Sequence, residues 1–316
     1  MSSNQVVNGK ALEYAFLIMF NKEFSSDQNI ITLKSESYYN AEKAFYSLDG
    51  KHQAELFSAA DVGVKMITRL EPNLLTGNGP LTLSIQKDAK GKAGDVRDVL
   101  VQRNEDNWCI GISCKHNHDA VKHSRLSGLI DVGKSWFGFQ STNEYFSEIR
   151  PIFYELGELR RKGVKWDQID KKDLSYYKPI LQALINELKR LDLLYPGEIP
   201  RRLLKYFLGR HDFYKTIVNR NKKVLKVQGF NLTGTLNQDA SRIEPQIKIS
   251  KLKLPTKFYY IDFVDNSTNK AIIAMDQGWS ISLRIHNASK KVESSLKLDV
   301  RLEGLPQSLY QADEKF

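Results

Sequence analysis

The strongest constraint on this chain is a pair of short β runs, Asp98–Gln102 and Trp108–Lys115, joined by the polar stretch Asn104 to Asn107. Two such runs around a turn-forming segment predict an antiparallel hairpin. Alternation along W-C-I-G-I-S-C-K sends Trp108, Ile110, Ile112 and Cys114 to one face and Cys109, Gly111, Ser113 and Lys115 to the other. The first face is apolar and needs a covering layer. The second, small residues leading to one lysine, is a surface that backbone or ligand can approach.

A-L-E-Y-A-F-L-I-M-F is apolar nearly all round, predicting a buried helix from about Lys10 to Asn21. Further helical stretches are expected over Tyr38–Phe57 and on to Leu70, with another β run at Leu81–Gln86. Helices are then expected over Asp119–Lys134, Glu144–Arg161 and Asp173–Leu194, and from Pro200 to about Lys223. After Val224 short β runs recur, at Lys226–Phe230, Gln246–Lys251, Phe258–Phe263, Ala271–Met275, Trp279–His286 and Leu296–Leu302. The expectation is an α/β (α+β) core over residues 1–200, with a mixed sheet flanked by helices, and a basic, β-rich subdomain over residues 201–316.

Charge separates the same two regions. The chain carries 47 Lys+Arg against 37 Asp+Glu, net +10. Residues 1–200 hold 26 of each sign, whereas residues 201–316 hold 21 basic and 11 acidic side chains, so the whole excess lies in the last third. A basic excess fits a polyanionic partner, nucleic acid first and a membrane surface second. The longest purely apolar run, Ala15 to Phe20, is six residues, against ~20 for a membrane span. Glu13 interrupts the candidate apolar core of a signal peptide. The two cysteines, Cys109 and Cys114, fall about 16 Å apart on opposite faces of one strand, too far for a disulfide. The expected location is therefore the cytoplasm.

Asp98 opens one strand of the hairpin and Lys115 closes the other, so the two can meet at one edge of the sheet. Metal-dependent phosphodiester cleavage uses that combination. A carboxylate holds the cation that acidifies a water, and a lysine positions the water or stabilises charge on phosphorus. The same spacing also suits an ion pair across a hairpin. Asp95 competes for the metal role. In an extended strand Asp95 and Asp98 point to opposite faces, and Asp98 is favoured because it runs directly into Val99-Leu100-Val101. A bend at Gly94 would let both converge.

These residues resemble the PD-(D/E)-x-K nucleases. More narrowly, G-K-A-L-E-Y-A-F, G-D-V-R-D and I-G-I-S-C-K-H-N-H-x-A-V-K-H-S-R-L-S, all within residues 9–127, resemble the HaeIII family of type II restriction endonucleases. The resemblance implies a PD-(D/E)-x-K core and a Mg²⁺-dependent endonuclease for double-stranded DNA, with Mn²⁺ as a substitute and a host methyltransferase as counterpart. The family's namesake is known for GGCC sites, which makes GGCC the expected target. Cleavage would displace the 3′-oxygen and leave 5′-phosphate ends. A two-fold DNA site makes a homodimer the reasonable assembly.

One departure from the superfamily pattern matters. Its second carboxylate would stand two residues before the lysine, and here Ser113 does. A hydroxyl is a poor Mg²⁺ ligand beside a carboxylate, so another acid should complete the site. Glu13 shares a helical face with Phe16, Leu17 and Phe20, where an unpaired charge is costly to bury, and it resembles the first-helix glutamate of many superfamily members. The resemblance also implies a metal contact from the Cys114 carbonyl. Ser113 stays among the site residues by position.

DNA contacts are expected from Asn117 and His118 just past Lys115, and from Lys122, His123, Ser124 and Arg125 on the helix after it. Lys134 and Trp136 extend that patch. In the basic third, Arg201, Arg202, Lys205, Arg210, Lys215, Arg220, Lys222, Lys223 and Lys226 would track phosphates, while the interleaved Tyr206, Phe207, Phe213 and Tyr214 read mainly as core. His116-Asn117-His118 is not the dispersed HNH motif, and the opposed cysteines with no C-x-x-C pair argue against zinc. Two other readings stay open: a structure-selective repair or recombination nuclease, and a DNA-binding protein with a degenerate site, for which Ser113 speaks.

Overall fold

A computed structural model describes residues 3–87, 94–116, 121, 124–241 and 243–316. By packing, the chain divides into two compact units: Met1–Asp119 with Arg210–Leu252 and Ser308–Phe316, and Ala120–Gly209 with Lys253–Gln307. The single boundary expected near residue 200 does not describe this interleaved division, in which the chain leaves the first unit, returns at Arg210 and leaves again.

The first unit is built on a seven-stranded mixed sheet. Its strands are β1 (Ile30–Leu33), β2 (Leu81–Ile85), β3 (Val99–Arg103), β4 (Trp108–His116), β6 (Phe213–Asn219), β7 (Val224–Phe230) and β12 (Tyr310–Lys315), adjacent in that order. The expected hairpin is β3–β4, antiparallel with Val99 opposite Ile112 and Val101 opposite Ile110. On its other side β4 runs parallel to β6, Ser113 beside Lys215 and Lys115 beside Ile217.

Three helices cover the apolar face: α1 (Ser3–Phe24), α2 (Glu36–Tyr46) and α3 (Gly50–Thr68). The expected continuous stretch through Phe57 is two helices, because Asp49 leaves the helical conformation and caps α3 by accepting from the His52 amide at 2.9 Å. Phe16, Leu17 and Phe20 of α1 join Ile110 and Ile112 of β4 in one core, each large side chain contributing about 1.5–3 kcal/mol by burial. Gly63 lets α3 come close: a Cβ there would stand 2.7 Å from the Phe16 ring and 2.9 Å from Leu225.

Other expectations for this unit need correction. The helix from Pro200 stops at Leu208, and Gly209 (φ 96°) turns the chain into β6, where T-I-V packs as strand. Gln246–Lys251 is not a strand, since its backbone groups are taken by side chains. Asn237 bonds the Ile247 carbonyl at 3.0 Å and the Ile249 amide at 2.6 Å, and Asn231 reaches the Ile249 carbonyl at 3.5 Å. The four-residue β1 and the charged edge strand β12 lack a clear β signal in the sequence.

The second unit holds a five-stranded antiparallel sheet, β5 (Ser124–Leu126), β11 (Leu296–Gly304), β10 (Ser280–His286), β9 (Lys270–Met275) and β8 (Phe258–Phe263), adjacent in that order. Its helices are α4 (Asn143–Arg161), α5 (Lys178–Leu194) and α6 (Ile199–Leu208). The helix expected over Asp119–Lys134 is corrected: the described residues Ser124–Leu126 pair with Leu296–Leu298, and only a π-helical turn follows at Gly133–Phe137. Partner-strand hydrogen bonds override local helical preference there. Among the described residues, no helix is long and apolar enough to cross a membrane, and both cysteines are free.

Candidate active site

The hairpin brings Asp98 and Lys115 together. The Asp98 amide donates to the Ile112 carbonyl at 2.8 Å, which carries the strand pairing one residue beyond β3 and sets the carboxylate beside the end of β4. Asp98 Oδ2 accepts from the Cys114 amide at 2.7 Å, from Ser113 Oγ at 3.4 Å and from Lys115 Nζ at 3.4 Å. Both members of the pair remain about one quarter exposed, at 25% for Asp98 and 26% for Lys115. Among the described residues Asp98 Oδ1 takes no hydrogen bond, so one oxygen is anchored and one is available.

Glu13 enters from α1. It is 6% exposed, and Lys10, one turn earlier, holds Oε2 at 3.0 Å. Burial first, then the negative charge of Asp98, lift the Glu13 pKa to about 8, against the opposing pull of Lys10 and Lys115. Burial disfavours the Lys115 charge, yet its carboxylate neighbours, Asp98 foremost, hold its pKa above the ordinary lysine value. Burial, with Asp98 and Glu13, pushes the Cys114 thiol well up, so that side chain is a neutral core group.

Asp95 stands elsewhere. Its two oxygens clasp Arg97, Oδ1 at 2.8 Å from Nε and Oδ2 at 2.7 Å from an Nη. Burial raises the Asp95 pKa, but the Arg97 bonds outweigh it and leave the net shift downward. Arg97 in turn lies across Gly111, where a Cβ would stand 2.0 Å from its Cδ. The openness expected around Gly111 is therefore filled by this protein's own arginine.

Among the described residues no group of three or more His, Cys, Asp or Glu side chains is placed to hold a metal. Two carboxylates, of which Asp98 raises the proton affinity of Glu13, are nonetheless a hard-oxygen donor pair. Mg²⁺ commonly takes only one or two protein carboxylates, completing its shell with water and substrate phosphate.

Comparison with known proteins identifies the family. The family described as HaeIII restriction endonuclease matches residues 9–306. A curated relative, the type II restriction enzyme HaeIII of Haemophilus aegyptius, is 42% identical over 309 residues, covering 98% of this chain and 97% of its own. The chain belongs to the HaeIII restriction endonuclease family. It is a type II site-specific deoxyribonuclease that acts on double-stranded DNA. No solved structure matches it.

The HaeIII-family chain distributes its expected DNA contacts unevenly. Asn117, His118, Lys122 and His123 lie outside the described residues. Ser124 is buried in β5, its hydroxyl 3.0 Å from the Tyr206 hydroxyl. Arg125 is engaged by Ser295 at 2.9 Å and Glu293 at 3.0 Å. Lys134 is exposed, whereas Trp136 is core, stacked on Tyr206 at 5.1 Å. Arg201 and Arg202 pair with Glu198, and Arg202 also caps the Phe137 carbonyl at 2.7 Å. Lys222 is exposed, and Lys223 pairs with Glu55 at 2.6 Å. Lys215, read as a surface cation, is 2% exposed within the sheet, in register with Ser113.

Two contributors to this candidate site lay outside the sequence reading. Lys10 partners Glu13, and Arg97 claims Asp95. The i, i+3 spacing of Lys10 and Glu13 and the acid-x-arginine of Asp95 and Arg97 were the available signals.

Proposed function

We propose that Glu13, Asp98 and Lys115 form the hydrolytic centre of this endonuclease, on a PD-(D/E)-x-K core. The single observation that carries the reading is the convergence of two carboxylates and a lysine where β3 begins, β4 ends and α1 passes. Asp98 and Glu13 would hold Mg²⁺, or Mn²⁺ in its place, together with the Cys114 carbonyl. The bound cation supplies an acidified water and neutralises charge on the phosphate.

The chain's own groups do the rest. The Cys114 amide and Ser113 hydroxyl fix Asp98 through Oδ2, and Oδ1 would be the oxygen left for the cation. Ser113 is thus a positioning residue in place of a second carboxylate. Lys115, kept protonated by its acidic neighbours, orients the attacking water and stabilises the pentacovalent phosphate. Water displaces the 3′-oxygen in line and leaves a 5′-phosphate. The Asp95–Arg97 clasp favours Asp98 as the metal ligand.

The proposed target is GGCC, cut by a homodimer in the cytoplasm. Asn117, His118, Lys122, His123, Lys134 and Lys222 are proposed DNA contacts, with Arg201, Arg202 and Lys223 lending charge from their ion pairs. Plasmid digestion with Mg²⁺ tests the whole reading. Discrete, reproducible fragments that map to GGCC sites are expected. Cutting confined to branched junctions, or binding without cutting, would overturn it.

A further inference from the structure

The outer edge of the five-stranded sheet carries an unusual surface. Strand β8 pairs with β9 on one side only. Its register slips between Phe258 and Tyr260, which pair with Met275 and Ala274, so Tyr259 is an extra residue in a bulge. The bulge breaks the usual alternation and leaves two consecutive tyrosines facing solvent, Tyr259 at 72% and Tyr260 at 49% exposure. Exposed neighbouring aromatic rings on an edge strand are a feature to account for.

The residues just before β8 are held rigidly. Buried Asp276 accepts from the Thr256 amide at 2.7 Å, the Lys257 amide at 3.0 Å and Thr256 Oγ1 at 2.9 Å. Trp279, 1% exposed, donates from its indole nitrogen to the Lys253 carbonyl at 2.8 Å. The backbone is thereby pinned from beneath at both lysines, while the side chains of Lys253 and Lys257 are exposed. Among the described residues neither lysine has a carboxylate partner. The other exposed charge on the strand is Asp262, two residues beyond Tyr260.

We propose that the ribbon Lys253–Tyr260 is a DNA-backbone contact of this enzyme. Lys253 and Lys257 meet phosphates, while the Tyr259 and Tyr260 rings lie against sugar and their hydroxyls donate to phosphate. The reasons are charge complementarity, two lysine side chains with no carboxylate ion pair among the described residues, and a pinned backbone that loses little freedom on binding. The contact is sequence-independent, because phosphate is the recognised group.

Equilibrium binding of a short duplex to the full chain, titrated with KCl without divalent ions, tests it. Each phosphate neutralised contributes about 0.9 to the slope of log K against log salt. Lys253→Ala with Lys257→Ala should lower that slope by about 1.8, equally for duplexes with and without the target site. Tyr259→Ala with Tyr260→Ala should weaken both duplexes alike and leave the oligomeric state in sedimentation unchanged. An unchanged slope for the lysine pair overturns the proposal. So does a change in oligomeric state with unaltered DNA affinity, which would make the edge a self-association surface. Exposed positions and unchanged thermal unfolding keep misfolding out of either result.

Discussion

The Cys114 amide donates to Asp98 Oδ2 at 2.7 Å, so the acid that starts one strand is fixed by the strand that ends in Lys115. Among the described residues, the side-chain bonds that fix Asp98 come from the end of β4. Asp98→Asn and Lys115→Ala should each lower the cleavage rate by at least about 100-fold. Duplex affinity measured without divalent ions should change little. Asp95→Asn separates the two acids: it should keep most of the activity while lowering the unfolding temperature, because Arg97 loses its clasp. Loss of cleavage in that variant, with Asp98→Asn still active, would reverse their roles.

In its proposed role as a ligand, Glu13 would tie metal use to pH. In the metal-free protein it keeps its proton up to about pH 8, and a ligating carboxylate must release it. The Mg²⁺ concentration for half-maximal cleavage should fall as pH rises, by up to about tenfold per unit below 8, then level off. Glu13→Gln should flatten that dependence and require more Mg²⁺ throughout. Mg²⁺ titrations of initial rate at pH 6.5, 7.5 and 8.5 measure it.

A second buried acid acts on stability alone. Glu71 is fully buried, accepting from the Tyr214 hydroxyl at 2.6 Å and the Asn237 amide at 2.7 Å. Burial outweighs these bonds and lifts its pKa to about 7. Between the ordinary glutamate value near 4.5 and about 7, the folded state holds a proton that the unfolded chain has lost. Stability from this residue therefore falls as pH rises through that window and is level above it. Urea unfolding at pH 5 and pH 8 should show that loss for the wild type and a smaller one for Glu71→Gln. Equal losses would remove Glu71 as the source.

Gly111 is defined by what lies over it. Gly111→Ala would drive a methyl into Arg97 and dislodge it from Asp95, for about 1–3 kcal/mol of lost stability. Arg97→Ala breaks the same clasp. The double variant should therefore lose less than the sum of the two single losses in urea unfolding. Simple additivity would show that the two residues do not share one interaction.

Much of the candidate site's geometry was legible because its signals are local. The alternation over Trp108–Lys115 and the acid before Val99 define a hairpin whatever surrounds it, and the apolar girdle around Glu13 marked a charge needing a partner. Long-range pairing was not legible. Ser124–Leu126 is strand only because Leu296–Leu298 lies beside it, and Gln246–Lys251 is not strand because Asn231 and Asn237 take its backbone groups. Nor could charge counting tell surface cations from Lys215, which the sheet buries. Composition placed a boundary near residue 200, but the chain crosses between units wherever its strands find partners.

The parallel partnership of β4 with β6 also has a consequence in time. The strand ending in Lys115 gains its second neighbour only with Phe213–Asn219, about 100 residues later in the chain. At ~5–20 residues per second of synthesis, β4 waits roughly 5–20 s as an open edge after it is made. The sheet beneath the proposed hydrolytic centre is thus completed late during translation. Until then a nascent chain of this nuclease has its proposed catalytic lysine on an unfinished sheet.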